Sequence, residues 1–234
     1  MSMNQLCDFP LGAKVKNLRS TLQITLIGCQ IEHYSQVAST NDIALARGKT
    51  GAAEGTLIIA EHQTAGRGRY GRNWEAPSGK CLLVSVVFKH RLLRDQVTLP
   101  NLIGAMAIAA AIRTTHGLDA RIKMPNDVRI GKKKVAGVLT ELAYDQEHQP
   151  FFVLGFGVNV NNALEDFPSE LRGTATSVRM AHALSENRNF EICRASLLCD
   201  ILCQLEKRYL QLKAGETNLI MNQFEVLRED ESRH

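Results

Sequence analysis

Apolar residues in this chain gather into a few uninterrupted runs separated by polar, glycine-rich stretches. The longest run, Leu102–Ile112, is too short for the ~20 residues that a bilayer span needs. Pro100 near its start and Gly117 after its end predict a buried helix over 100–116. Thr56–Ala60 reads as a short strand, and Cys81–Phe88 as a strand apolar enough to be buried on both faces. Residues 120–123 read as another short strand, stopped by the turn Met124-Pro125-Asn126-Asp127. Val128–Ile130 and Lys134–Leu142 form a predicted hairpin around Gly131-Lys132, and Phe151–Val160 a further apolar strand. Over Glu191–Leu212 the period lengthens to that of a helix, with Ile192, Ala195, Leu198, Ile201, Leu202, Leu205, Tyr209 and Leu212 on one face.

Polar signals set the boundaries. Ser39-Thr40-Asn41-Asp42 predicts a helix start with a hydroxyl or amide cap and an acid in the first turn. That helix is expected to reach about Arg47 and to end at Gly48. Residues 61–79 show neither period and read as a long loop, a feature that in compact domains is usually functional. Leu26-Ile27-Gly28-Cys29 has the look of a lipoprotein cleavage box, but the half-polar stretch before it is a poor apolar core for a signal. A strand opening the domain is the expectation there, after a lead-in over 1–30. From Glu216 to the end the chain reads as a polar, acidic tail. Strands and helices mix without strict alternation. The predicted class is therefore α+β, with a mixed, largely antiparallel sheet and helices packed against it.

Composition narrows the function more than the fold. A chain of 234 residues with 44% hydrophobic content can build a sizeable core. A net charge of +4 suits a small anionic ligand better than a nucleic-acid coat. The six cysteines contain no C-x-x-C pair, and unpaired thiols at this density point to a reducing compartment such as the cytoplasm. Cys199 and Cys203 lie one helical turn apart and read as small hydrophobes rather than metal ligands.

The densest chemical signal lies in residues 61–74, Glu-His-Gln-Thr-Ala-Gly-Arg-Gly-Arg-Tyr-Gly-Arg-Asn-Trp. Gly66, Gly68 and Gly71 let backbone approach a ligand or turn tightly, and Arg67, Arg69 and Arg72 offer planar forks for carboxylate and phosphate oxygens. The segment spells G-x-G-x-x-G, but Arg72–Gly79 cannot open the helix that a dinucleotide fold requires. Gly48-Lys49-Thr50 fails as a phosphate loop because position 43 is Ile. The remaining readings are an anion-binding loop or a solvated basic turn. Lys134 opens an apolar strand and is placed to aim its ammonium into a pocket, with Gly137 leaving room for a flat ligand. Asp127 suits either magnesium or the orientation of a lysine. Asn159, polar at an apolar strand end, is either bonded locally or faces a ligand.

Together these blocks resemble the biotin protein ligases, in the order Ser39-Thr40-Asn41, Glu61–Trp74, Lys123–Asp127 with Lys134–Gly137, and Gly155–Asn159. The resemblance spans roughly residues 30–213. It implies the catalytic fold shared with class II aminoacyl-tRNA synthetases over 31–215. It also implies a two-step reaction, in which biotin and ATP give biotinyl-5′-AMP and a lysine of a biotin carboxyl-carrier domain then takes the biotin. ATP enters with Mg2+ as a substrate complex, with no bound prosthetic group. By the same resemblance Ser39, Thr40, Asn41, Gln63, Gly66, Arg67, Gly68, Arg69, Lys134 and Gly137 surround biotin. Arg67, Arg69, Arg72, Trp74, Asn126 and Asn159 surround the adenylate, and Lys134, Arg67 and Asp127 carry the chemistry. Met124 stands where the family usually has tryptophan. The short stretch before Ser39 leads us to expect no DNA-binding domain, and the stretch after 216 no C-terminal β-barrel. No membrane partner is expected, and a homodimer is compatible. A lipoate or octanoate ligase, or a non-catalytic biotin or nucleotide binder, are the alternatives to be separated.

Overall fold

The computed structural model describes residues 11–21, 24–186 and 190–229. Among the described residues seven strands form one sheet: β1 (Ile31–Tyr34), β2 (Leu57–Ala60), β3 (Cys81–Phe88), β4 (Ala120–Lys123), β5 (Asp127–Ile130), β6 (Lys133–Tyr144) and β7 (Pro150–Asn159). Their order across the sheet is β1-β2-β3-β7-β6-β5-β4. Only β1 and β2 run parallel; every other neighbouring pair is antiparallel, so the sheet is mixed and largely antiparallel as expected.

Among the described residues six α-helices pack around the sheet: α1 (Leu11–Thr21), α2 (Thr40–Lys49), α3 (Leu99–His116), α4 (Val178–Glu186), α5 (Arg194–Lys213) and α6 (Thr217–Leu227). Helix α3 lies on one face, with α1, α5 and α6 stacked behind it. Its Ile103, Met106, Ile108 and Ile112 are fully buried, each contributing about 1.5–3 kcal/mol by removal from water. Gly104 lets α3 sit close to β6, since a Cβ there would come within 2.9 Å of Val138. The apolar run read as too short for a membrane is thus the central core helix, closed by Gly117 at φ 65°. The opposite face carries α2, which packs Ala44 against Ile58, Val87, Phe151 and Val153.

Several expectations need correction. Residues 26–29 form turns, and the first strand starts at Ile31. The lead-in holds α1, whose Leu11 and Val15 are buried in the core. The 39–47 helix runs through Gly48, where the bare backbone accepts the ring of Phe151, and the chain turns at Gly51, φ 86°. The polar tail contains α6, because Ile220, Phe224 and Leu227 recur at helical spacing and bury one stripe. Beyond it Glu229 N–H donates to Ile122 O and occupies the outer edge of β4. The 191–212 helix starts at Arg194, and its predicted apolar face is buried as expected. Cys199 is buried and its thiol is pushed up to about 12 by that burial, whereas Cys203 is exposed.

Candidate active site

Alternation along three central strands builds the site. On β3, Leu82, Val84, Val86 and Phe88 face the helices, which turns Leu83 and Ser85 toward α2. On β7 the residues in register with these two are Gly157 and Gly155, and on β6 Gly137 and Leu139 continue the rows. Three glycines in neighbouring strands therefore remove the side chains from one patch of the sheet. A Cβ on Gly155 would lie 1.9 Å from Asn41 Oδ1, and one on Gly157 would lie 2.4 Å from the Trp74 indole.

A small cavity sits on this glycine floor, bordered by Ser39, Thr40, Asn41, Gln63, Arg67 and Trp74. Its polar wall is a continuous chain of hydrogen bonds. Thr40 N–H and Oγ1 both reach Gln63 Oε1, at 2.7 and 2.9 Å. Ser85 Oγ lies 2.8 Å from Thr40 Oγ1 and 2.6 Å from Asn41 Oδ1. Two hydroxyl protons serve three oxygen–oxygen contacts, so Ser85 donates to Thr40 Oγ1 or to Asn41 Oδ1 but not to both at once. Ser39 makes no side-chain cap, contrary to the expected motif; Gln63 caps the start of α2 from the neighbouring segment.

The Gly/Arg segment is more ordered than a loop. Arg67 and Asn73 pair as an antiparallel bridge, Trp74 N–H donates to Gly66 O, and Gly68 N–H to Arg72 O. Tyr70 and Gly71 turn at the tip with φ 59° and 71°, the signature of a tight hairpin turn. Gly66 is needed for contact, because a Cβ would strike Trp74 O at 2.4 Å. Glu61 fixes the base of this arm: its carboxylate meets His33 Nε2 and Arg194 Nη1, each at 2.8 Å, and its carbonyl accepts from Gly79 N–H.

A second, larger cavity adjoins the first and shares Arg67, Trp74, Gly137 and Leu139 with it. Gly68, Arg69, Arg72, Asn126, Asp127, Lys134 and Asn159 line this larger space. Lys134 Nζ is 2.7 Å from Asp127 Oδ1 and 5.6 Å from the centre of the Trp74 ring. Register explains the ion pair: an irregularity between Val128 and Arg129 sets Lys134 opposite Arg129, one strand alternation from Asp127 and on the same face of the sheet. Arg69 donates to Asn126 Oδ1 at 3.3 Å and stacks on Tyr70, 4.8 Å from its ring centre. Arg72 lies exposed at the arm's tip. Asn159 donates to Thr176 O, and the buried thiol of Cys81 beside it is pushed up to about 11 by desolvation. Trp74 Nε1 is buried without a hydrogen-bond partner.

The structure thus gathers the sequence-selected residues around two joined cavities. Gly66 lines neither and serves the arm's own packing. Sequence reasoning missed Ser85, Asp42, Glu61, Glu141 and the glycine pair 155 and 157 as a floor. Ser85 carried a signal, being the lone hydroxyl in the apolar run Cys81–Phe88. Among the described residues no cluster of histidine, cysteine or acidic side chains is arranged to hold a metal ion.

Fold and site together define a ligand-enclosing α+β unit with a cationic arm, and residues 33–159 match the model of the biotin/lipoate A/B protein ligase family. The chain belongs to that family. It is 33% identical over 192 residues to the bifunctional ligase/repressor BirA of Bacillus spizizenii, covering 82% of this chain and 57% of that protein. It is 34% identical over 195 residues to the biotin–[acetyl-CoA-carboxylase] ligase of Mycobacterium tuberculosis, covering 81% and 68%. The biotin protein ligase of Aquifex aeolicus, solved with biotin and ATP, shares the fold with a TM-score of 0.71 at 24% identity, over 86% of this chain and 78% of that one. The chain spans little more than half the length of the Bacillus relative.

Proposed function

We propose that this protein activates biotin with ATP to biotinyl-5′-AMP and then transfers the biotin to a lysine of a carboxylase carrier domain. The observation that carries the reading is the junction of the two cavities. A small chamber with a polar wall opens there onto a larger basic one, and the Lys134 ammonium stands beside the Trp74 partition.

The chemistry follows from charge. The biotin carboxylate attacks the α-phosphorus of ATP, forming a C–O–P anhydride, and pyrophosphate leaves with the electron pair of the broken P–O bond. Two anions must meet, so fixed cations have to offset their repulsion and hold charge on the equatorial oxygens. Lys134, oriented by Asp127, and Arg69, oriented by Asn126, are placed to do this. The arm and Trp74 cover the junction and keep water from the anhydride. In the second step a neutral acceptor lysine attacks the carbonyl carbon, the acyl C–O bond breaks with its electron pair leaving on AMP, and the nitrogen gives up one proton to solvent as the amide forms. ATP enters as its magnesium complex, and the free thiols fit work in a reducing cytoplasm.

The polar wall favours biotin over a flexible acyl chain. The hydroxyl and amide oxygens of that wall can accept from a ureido N–H, which an alkyl chain lacks. Biotin-dependent ATP–pyrophosphate exchange tests the reading, with lipoate as the control and transfer to a biotin acceptor domain as the second stage. Exchange with biotin alone, followed by transfer, is expected. Exchange with lipoate instead, or none with either acid, overturns it.

A further inference from the structure

We propose that Glu141 is a positioning residue that fixes the amide of Asn41 and holds the 66–74 arm over the smaller cavity through Arg67. The proposal deepens the function given above, and its kinetic arm rests on that reading.

Glu141 continues the ligand-side row of β6, one alternation beyond Leu139 in the cavity wall. Its Oε2 accepts from Asn41 Nδ2 at 2.6 Å and from Arg67 Nη2 at 2.9 Å. The first bond, with a longer one from Nδ2 to Leu139 O at 3.5 Å, sets which end of the Asn41 amide is turned outward, leaving Oδ1 to meet Ser85 and the polar wall. The second ties the arm to the sheet. Asp42 Oδ1 adds a contact to the same Nη2 at 2.6 Å.

This arrangement changes the role read for Arg67. A guanidinium offers two forked edges, and both use Nη2. With two carboxylates against Nη2, neither edge is free to grip a ligand carboxylate with two bonds. Nε and Nη1 remain for single bonds, so Arg67 acts chiefly as the arm's anchor. Glu141 is the stronger partner, because its side chain is 25% exposed against 51% for Asp42, and exposed ion pairs contribute little.

The test compares the parent chain with Glu141→Ala, Glu141→Gln and Asp42→Asn. In Glu141→Ala, trypsin should nick the arm at Arg69 and Arg72 several-fold faster. The KM for biotin should rise about tenfold, the size expected for losing a charge-assisted hydrogen bond, with kcat little changed. Glu141→Gln retains an acceptor oxygen and should restore most of both properties, and Asp42→Asn should have the smallest effect. Parent-like nicking and biotin KM in Glu141→Ala overturn the proposal, as does a loss confined to kcat. If the parent shows no biotin-dependent exchange, the functional reading falls while the nicking comparison still decides the role of Glu141. Should Glu141→Ala fail to fold, Arg67→Gln removes the same tie from the arm's side; faster nicking supports the proposal and unchanged nicking overturns it.

Discussion

The two faces of the sheet use the same strands in different ways. Toward the helices, Val84, Val86 and Phe88 of β3 and Phe152, Leu154 and Val158 of β7 fill the space completely. Toward the arm, Ser85, Gly155, Gly157 and Gly137 leave space open, and polar atoms from α2 and Gln63 edge it. Stability comes from the filled face, where side chains are large and close-packed. Recognition comes from the other, where they are deleted. A change on one face should therefore move one property and spare the other, and this separation can be broken experimentally.

The largest effect is expected from Gly157→Val. Valine suits a strand, but its Cβ enters the place of the Trp74 indole, so the arm must shift. Displacements of that size cost about 100-fold in catalytic efficiency, read as kcat/KM for biotin, with the fold retained. Lys134→Ala should slow adenylate formation by roughly 100-fold, the loss typical of a charge-stabilising group, measured by pyrophosphate exchange at saturating biotin. On the filled face, Ile108→Ala should lower unfolding free energy by about 2–5 kcal/mol in denaturant titration while activity per folded molecule stays constant. A parallel loss of activity there would join the two faces. Ser85→Ala should raise the KM for biotin about tenfold, because it strips the polar wall of a hydroxyl proton.

The smallest effect is a pH dependence on the helix side. His116, at the end of α3, lies 3.2 Å from His182 of α4, and burial together with that neighbour holds its pKa below the ordinary value. The folded state therefore favours the neutral ring. Its contribution to stability is complete above the unfolded pKa of about 6.5 and falls as the pH drops through it. Melting temperature should decline between neutral and mildly acid pH, and His116→Gln should flatten that decline.

The filled face was legible because periodicity reports burial directly. Cys81–Phe88, Leu102–Ile112 and the 191–212 stripe each pointed to the right element. Helices α1 and α6 escaped because their short apolar stripes sit inside polar surroundings. The basic arm was legible by composition, yet its hairpin form was not, since Tyr70 takes positive φ without being glycine. The glycine floor was invisible for a simpler reason. A glycine in a strand does not reveal which glycine stands beside it, and only the register joins 137, 155 and 157. The same holds for Glu141, whose partners Asn41 and Arg67 are far away in the chain.

The most direct test of the account is calorimetric titration of biotin into the parent chain and into Gly157→Val. The account predicts one binding site in the parent and its loss in the variant, with melting temperatures within a few degrees of each other. Undiminished biotin binding by a folded Gly157→Val would contradict it.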